Sequence, residues 1–447
     1  MTSIASQVNA SEPSHIWILT LDRSLLVFKV FFVLLAPVIL CAPQAVGFTF
    51  LLLLCALPMD LRFRRIYGRG SYQFILRSLG LLLLWAVLSL TWSHRGAAAD
   101  LWGVILVCVA GSLALVAAAN MTGAQKVEIR HFIAFFLVSC VIGLSVLFLA
   151  PQSAALRLLQ NVSLPIGFVQ ISPPHTLSIL IVMIWPLMGL MFSKYSGVSG
   201  RGAAVPAGIL VSGLALFAFR QASVSNLLAL ALGGAAFLCT SLRPKVSLSV
   251  LACLIFSYLF LAPIIHMEIP GAPLEASITP AANSWAARLE VWSDAATATF
   301  DAPILGRGFD TAGYSGAQET GPSALKSPPP RNLVLRIWLE LGLVGVILTS
   351  AVLFGVINAI WRRLHNSLET GIAAAVLVSF LTLSILGTGA WPLWWVGTAW
   401  LAAGMVVLNR QTCAQGSISV RLPPAEHKPG GVIPRIAYKT AHAARTA

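Results

Sequence analysis

Residues 247–264 read SLSVLACLIFSYLFLAPI and contain no charged side chain. An α-helix of this length rises about 27 Å, close to the roughly 30 Å hydrocarbon core of a bilayer. Lipid offers the backbone no hydrogen-bond partners, so an apolar segment of this kind crosses a membrane as a helix. The stretch therefore predicts a membrane-spanning helix.

Runs of the same kind recur from Leu25 to Leu408. The chain is 57% hydrophobic and 10% charged, whereas a soluble domain carries about a quarter charged residues. We therefore predict an all-α, polytopic membrane protein of about twelve transmembrane helices. The predicted spans are 25–41, 45–59, 78–93, 101–119, 132–150, 175–192, 203–219, 224–240, 247–264, 333–360, 370–388 and 392–408.

The positive charges indicate the orientation. With a cytoplasmic N-terminus, every inner loop holds at least two cations, and most of the 29 Lys and Arg residues are cytoplasmic. The net charge of +14 is then a topology signal and does not indicate nucleic-acid binding. We predict a multi-pass protein of the bacterial inner (cytoplasmic) membrane with both termini cytoplasmic. Its parts are 1–24 (N-terminus), 25–264 (spans one to nine), 265–332 (a large non-cytoplasmic loop), 333–408 (spans ten to twelve) and 409–447 (a basic tail).

The large loop is long enough to fold. Its apolar side chains follow helical spacing between the candidate caps Asn283 and Ser284 and the later Pro303: Trp285, Leu289, Trp292, Ala296 and Phe300. The pattern predicts an amphipathic helix on the membrane surface that forms one wall of a site open to lipid. A turn follows, in which Gly306 and Gly308 permit close backbone approach.

Several common chemistries lack their motifs. The sequence has no Walker loop, dinucleotide-binding glycine motif, His-Glu-x-x-His or Gly-x-Ser-x-Gly, and its cysteines form no C-x-x-C pair. ATP hydrolysis, redox chemistry and zinc proteolysis therefore lose their usual support. We predict neither a cofactor nor a metal.

Four arginines lie on the predicted outer side: Arg220, Arg288, Arg307 and Arg331. Guanidinium groups bind phosphate oxygens bidentately, although any one of these arginines alone is more simply a contact to lipid headgroups. Arg336 and Glu340, four residues apart, are placed to pair on one helical face. His94, His175 and His266 lie at outer ends of spans, where a histidine seldom has a catalytic role.

Three segments in order, Arg288-Leu-Glu-Val-Trp292, Pro303-Ile-Leu-Gly306-Arg-Gly308 and the run from Arg331-Asn332 through Glu340 to Gly345, resemble the signature of the O-antigen ligase and polymerase superfamily. The resemblance implies a membrane glycosyltransferase of the C-type fold, with its large periplasmic loop between spans nine and ten. It implies transfer of glycan from an undecaprenyl-pyrophosphate donor to lipid A core or to a second lipid-linked glycan. No nucleotide or metal is required.

The resemblance also assigns residues. Arg220 and Arg288 match the pyrophosphate-binding arginines, and Gly306, Gly308 and Glu340 match the supporting frame. We add Arg307, Trp292, Gly306, Gly308 and Asn332 as substrate-binding candidates, and Arg288, Arg331 and Glu340 as catalytic candidates.

One position departs from the family. Ligases usually have His-Asn where this chain has Arg331-Asn332, and arginine is no base at neutral pH. Three alternatives follow: a polymerase or capsule-type relative that uses another residue, a replacement base such as His266 or Glu319, or a member without activity.

We therefore predict a metal-independent, inverting glycosyltransferase of lipopolysaccharide or exopolysaccharide biosynthesis that acts as ligase or as polymerase. A lipid-glycan transporter or flippase is an alternative, and it predicts broken helices in corresponding halves of the chain. A non-catalytic partner in polysaccharide assembly is another.

Overall fold

The computed structural model of the chain describes residues 15–56, 70–93, 97–121, 173–191, 200–221, 223–267, 280–311, 330–363, 366–388 and 391–409, together with helical positions 128, 129, 132, 133, 136 and 139. These residues lie in one compact unit, residues 1–410. Glu319, His94 and nearly all of the predicted basic tail fall outside the described residues.

The described residues form helices and turns, with no strand among them. The helices are α1 His15–Cys41, α2 Val46–Ala56, α3 Gly70–Ser89, α4 Ala97–Asn120, α5 Pro173–Met191, α6 Gly200–Arg220, α7 Val224–Leu242, α8 Pro244–Met267, α9 Pro280–Thr299, α10 Leu333–Arg363, α11 Ser367–Leu383 and α12 Leu393–Asn409. A 3₁₀ turn, Pro43–Ala45, precedes α2, and a π-helical turn, Ser384–Thr388, follows α11.

Among the described residues, six helical segments are long and apolar enough to cross a membrane: Tyr72–Ser89, Ala97–Ala119, Val224–Leu242, Pro244–Met267, Leu333–Arg362 and Ser367–Gly387. Shorter apolar segments lie in α1, α5, α6 and α12. The prediction of an all-helical, multi-pass membrane protein is thus confirmed. The count of twelve spans and the position of the loop stay predictions.

A buried hydrogen-bond chain joins three of the helices. Trp185 Nε1 on α5 donates to Ser379 Oγ on α11 at 2.8 Å, and Ser379 Oγ donates to the carbonyl of Ala229 on α7 at 3.0 Å. A Cβ at Gly233 would lie 2.1 Å from Ser379 Oγ, so glycine permits this close packing of α7 on α11. Small residues and interhelical hydrogen bonds of this kind hold helices together in lipid.

The loop helix α9 differs from its prediction in two ways. It begins at Pro280, so Asn283 and Ser284 lie inside the helix and do not cap it, and proline suits a first helical position. Trp292 and Ala296, on the apolar stripe, are buried in a cluster with α8 and α10. Protein therefore covers part of this stripe, where we expected the membrane surface.

Helix α10 is interrupted at Gly342, whose φ of 64° and ψ of −163° are not helical. We predicted a continuous span there. The break frees backbone groups on both sides, and the turn that follows α9 fills it: Leu343 N donates to Pro303 O at 2.9 Å and Val344 N to Ile304 O at 3.3 Å. The turn and the broken helix are therefore one structural unit.

Candidate functional site

Arg288 extends from α9 toward the end of α11. Its Nη1 donates to the carbonyl of Leu386 in the π-helical turn at 2.6 Å and to Ser225 Oγ at 3.3 Å. Its guanidinium also lies 5.2 Å from the ring centroid of Trp285, within range of a cation–π contact. These neutral partners orient the arginine without cancelling its charge.

Arg331 is the second cation of the site. It is exposed just before α10, and its charge acts on both Arg288 and His175. Burial, followed by repulsion from Arg331, lowers the pKa of Arg288. Within the described part of the chain, neither arginine is paired with a carboxylate. Two guanidinium groups that repel each other and have no carboxylate partner among the described residues favour the binding of an anion.

The N-terminus of α7 adds positive potential to this site, because the first turn of a helix carries a partial positive charge. Ser225 belongs to that turn and receives the hydrogen bond from Arg288. The next residue, Asn226, is buried; its Nδ2 donates to Ser223 Oγ and its Oδ1 accepts from Ser178 Oγ on α5. Arg220 is exposed at the end of α6, three residues before Ser223.

His175, at the start of α5, borders the same region. Its ring lies 4.6 Å from that of Trp394 on α12, with 44° between the ring planes. Its Nδ1 is buried and has no hydrogen-bond partner in the described structure. Sequence reasoning gave this histidine no role, because nothing in the sequence places α5 next to Arg331.

The turn that contains Gly306 and Gly308 does not present free N–H groups. Gly306 N donates to Ala302 O at 3.0 Å, Arg307 N to Leu339 O at 2.8 Å and Gly308 N to Glu340 O at 2.9 Å. The bonds from Arg307 and Gly308 satisfy carbonyls freed by the break in α10, and the bond from Gly306 closes the turn itself. The two glycines, at φ of 72° and 100°, therefore serve as supporting frame, and direct substrate binding by them stays a prediction.

Arg307 and Trp292 are also held by protein contacts. Arg307 Nη2 pairs with Asp301 Oδ2 at 2.5 Å. Trp292 is 5% exposed, and its ring packs edge-on against that of His266 at 5.1 Å. The structure thus places Trp292 in the core between α8 and α9, and substrate contact by either residue stays a prediction.

Glu340 is fully buried. The predicted ion pair is present, because Arg336 Nε donates to Glu340 Oε1 at 2.7 Å, and Trp391 Nε1 donates to Oε2. Arg336 also pairs with Asp310. Since both carboxylate oxygens are occupied, the geometry favours a positioning role, and direct catalysis by Glu340 stays a prediction.

Asp310 lies in the turn and belongs to the same cluster of charged side chains as Arg336 and Glu340. Burial raises its pKa to about 6; Arg336 opposes this shift, and the charges of Glu340 and Asp100 and a hydrogen bond with Asp100 add to it. Asp310 also has a φ of 55°, a conformation that Asp and Asn adopt more readily than most residues. The cluster links the turn to α4 and α10.

Asn332 adjoins Arg331 and is completely buried. Its Oδ1 caps α10 by accepting from Val334 N at 3.0 Å and Leu335 N at 3.2 Å. Its Nδ2 donates to Tyr258 Oη on α8 at 3.0 Å, and Tyr258 Oη lies 3.1 Å from His266 Nε2. Sequence reasoning missed Tyr258, although its spacing of eight residues before His266 places both on one face of α8.

A cavity of about 610 Å³ lies beside these residues. One end of the cavity, near the arginines, is lined by Tyr258, Leu333 and Ile385. The other end is lined by Tyr72, near the start of α3, and by Ile360, near the end of α10. Nearly all of its other lining side chains are apolar. Among the described residues, no group of three His, Cys, Asp or Glu side chains is arranged to hold a metal ion.

Residues 207–350 match the model of the O-antigen ligase family. The match contains Arg220, Arg288, Arg331 and Glu340.

Three similar proteins carry provisional names as polysaccharide ligases. That of Rickettsia conorii is 25% identical over 194 residues, 42% of this chain and 47% of the relative. That of Rickettsia prowazekii is 26% identical over 196 residues, 42% and 46% of the two chains. That of Rickettsia typhi is 24% identical over 238 residues, 52% and 56%. The chain spans about half the length of the curated relatives it matches.

Proposed function

We propose that this chain, whose residues 207–350 match the model of the O-antigen ligase family, transfers a glycan from an undecaprenyl-pyrophosphate donor to an acceptor at the periplasmic face of the bacterial inner membrane. This match, together with the similarity to proteins named as polysaccharide ligases, supports a glycan-transferring ligase role. The observation that carries the proposal is the adjacent pair Arg288 and Arg331, which has no carboxylate partner among the described residues.

The chemistry follows from the charge of the leaving group. When the bond between the anomeric carbon and the pyrophosphate breaks, negative charge develops on the phosphate oxygens. Two oriented guanidinium groups and the α7 N-terminus stabilise that charge more in the transition state than in the ground state. An acceptor hydroxyl attacks from the opposite side, so the anomeric configuration inverts. In this proposal the arginines supply the positive charge, and the transfer needs no metal.

The apolar cavity supports a lipid-linked donor. Its end near Leu333 and Ile385 adjoins Leu386, whose carbonyl holds Arg288. An isoprenoid chain that enters there would keep its apolar surface away from water and leave its pyrophosphate beside the arginines. If the protein is a ligase, its acceptor is lipid A core. If it is a polymerase, its acceptor is a second lipid-linked glycan.

The broken helix α10 bears on the transporter alternative, which predicts broken helices whose freed backbone groups bind substrate or ions. Here the freed groups are taken by protein: Leu339 and Glu340 carbonyls accept from the turn, and Trp85 Nε1 donates to Leu341 O at 3.0 Å. The break therefore docks a turn and leaves little capacity for cargo, which favours the transferase.

The decisive experiment compares a deletion strain rescued with the wild type, Arg288→Ala or the control Arg362→Ala. Arg362 lies at the far end of α10, where it donates to Asn358. Lipopolysaccharide, exopolysaccharide and undecaprenyl-linked glycan are analysed by gel and mass spectrometry. Long glycan stranded on the carrier only with Arg288→Ala indicates a ligase, and single repeats indicate a polymerase. Identical glycans in all strains would exclude glycan transfer. Stranded glycan in the Arg288→Ala strain, with donor binding but no turnover by the purified wild type, would indicate a non-catalytic assembly partner.

A further inference from the structure

Within the hydrogen-bond chain Asn332, Tyr258, His266, the bond between Asn332 and Tyr258 has a fixed direction. Asn332 Oδ1 accepts two backbone N–H groups at the start of α10, so only the Nδ2 end of the amide faces Tyr258. An amide nitrogen donates and does not accept. Tyr258 Oη therefore accepts from Asn332, and its own proton is available for a different partner.

That partner is His266. Its Nε2 lies 3.1 Å from Tyr258 Oη, within hydrogen-bond distance, and it accepts from the phenol in the tautomer that carries the imidazole proton on Nδ1. A neutral imidazole that accepts at Nε2 carries its proton on Nδ1. The Nδ1 of His266 is buried and has no hydrogen-bond partner in the described structure, so no neighbouring group competes for that proton. His266 Nε2 is thus ready to take the phenolic proton.

The hydrogen-bond chain is connected to the arginine pair at two points, one at Arg331 and one near Arg288. Asn332 directly follows Arg331, and the His266 ring packs against Trp292, one helical turn after Arg288 on α9. Tyr258 also lines the apolar cavity with Leu333 and Ile385. A phenol oxygen has two lone pairs; Asn332 uses one, which leaves the other for a group that enters from the cavity side.

We propose that Tyr258 and His266 together are the proton acceptor of the transfer, in place of the base that Arg331 cannot supply. This inference rests on the proposed function. The acceptor hydroxyl oxygen forms its bond to the anomeric carbon while the bond to the pyrophosphate breaks, and the leaving group keeps that electron pair. The hydroxyl proton passes to Tyr258 Oη as the phenolic proton passes to His266 Nε2. Tyrosine ends neutral, histidine ends as imidazolium, and charge is conserved.

The relay matches the electrostatics of the site. An imidazolium beside Arg288 and Arg331 is unfavourable alone, but it forms as the pyrophosphate gains negative charge at the same site. The proton therefore moves only when the leaving group departs. Neither the proton transfer nor the charge development requires a carboxylate at the reacting centre, which agrees with the occupied oxygens of Glu340.

The test uses the full-length chain in lipid nanodiscs, with synthetic undecaprenyl-pyrophosphate-linked oligosaccharide as donor and glycolipid extracted from the deletion strain as acceptor. Tyr258→Phe keeps the ring and its packing while it removes the relay oxygen, and His266→Gln removes the proton acceptor. Ser350→Ala is the control, since its hydroxyl donates only within α10, to Val346 O.

We expect Tyr258→Phe and His266→Gln each to lower kcat about 100-fold, the usual range for a lost general base, with donor affinity within about twofold of wild type. The double variant should be no slower than the slower single variant, because both residues serve one proton transfer. A purely structural bond would instead lower donor affinity and melting temperature together with kcat.

Two results would overturn the relay: kcat of Tyr258→Phe within about threefold of wild type, or losses in kcat that multiply in the double variant. In either case transfer by the wild type and its loss in Arg288→Ala would leave the proposed function standing. Absence of transfer by the wild type itself would instead count against the proposed function.

Discussion

The backbone N–H of Gly308 donates to the carbonyl oxygen of Glu340 at 2.9 Å. This bond joins the turn after α9 to the last helical residues before the break in α10. Arg331, Asn332 and Arg336 all precede that break, so the turn helps to set the position of the segment that carries them. The supporting frame and the candidate site are thus mechanically connected.

Gly342→Ala is expected to destabilise the protein. The new Cβ would lie 2.3 Å from Ile304 O, and the φ of 64° and ψ of −163° at this position belong to a region that is essentially limited to glycine, where another residue is strained by about 1–3 kcal/mol. Thermal unfolding in detergent should show a lower melting temperature. Gly404→Ala, which has open space around its Cβ, should not lower the melting temperature, because alanine is favoured over glycine inside a helix. A similar loss of stability in both variants would contradict this account of the break.

Glu340→Gln should lower the free energy of unfolding by about 3 kcal/mol, because it removes one partner of a buried ion pair. Arg336 would keep only Asp310 as a carboxylate partner. The matched change Glu290→Gln, at an exposed position of α9, should have little effect on unfolding monitored by tryptophan fluorescence. If Glu340→Gln is as stable as the wild type, the ion pairs of Arg336 with Glu340 and Asp310 do not hold α10 in place.

Asp310→Asn should flatten the pH dependence of stability between about pH 4 and 6. The folded protein keeps a proton on Asp310 up to its raised pKa of about 6, while the unfolded chain has lost that proton from about pH 4. The folded state therefore binds more protons in this window, and stability falls as pH rises through it. Melting temperatures at pH 4.5 and 7 measure the slope. Asp301→Asn, at an exposed position of the same turn, should keep the wild-type slope.

Arg331→Ala should weaken binding of the pyrophosphate-linked donor about tenfold, since a hydrogen bond to a charged group contributes about 1.5–3 kcal/mol. The donor affinity of Arg331→Lys, which keeps the charge but not the planar guanidinium group, should lie between those of the wild type and Arg331→Ala. Binding is measured by microscale thermophoresis with a fluorescent donor at low and moderate salt. Unchanged affinity in Arg331→Ala would remove Arg331 from the anion site and leave Arg288 as its remaining described member.

Local patterns were predictable because they depend on neighbours in sequence. The apolar runs predicted the helices, and the spacing of four residues predicted the pair of Arg336 and Glu340. The glycine turn was predicted as well, since Gly306 and Gly308 mark a backbone that other residues adopt poorly. The break at Gly342 was not predicted, because an isolated glycine is common inside a membrane helix.

The sequence by itself determined that this chain is helical and built for a membrane, because hydropathy and backbone hydrogen bonding leave an apolar chain few other structures. The order of its motifs also predicted the resemblance to O-antigen ligases, and residues 207–350 match the model of that family. Only the tertiary structure decided that Arg288 reaches Leu386, that Arg331 acts on Arg288 and that Tyr258 joins His266 to Asn332. These contacts join helices far apart in the chain, and they depend on how side chains pack between helices, which local periodicity does not encode.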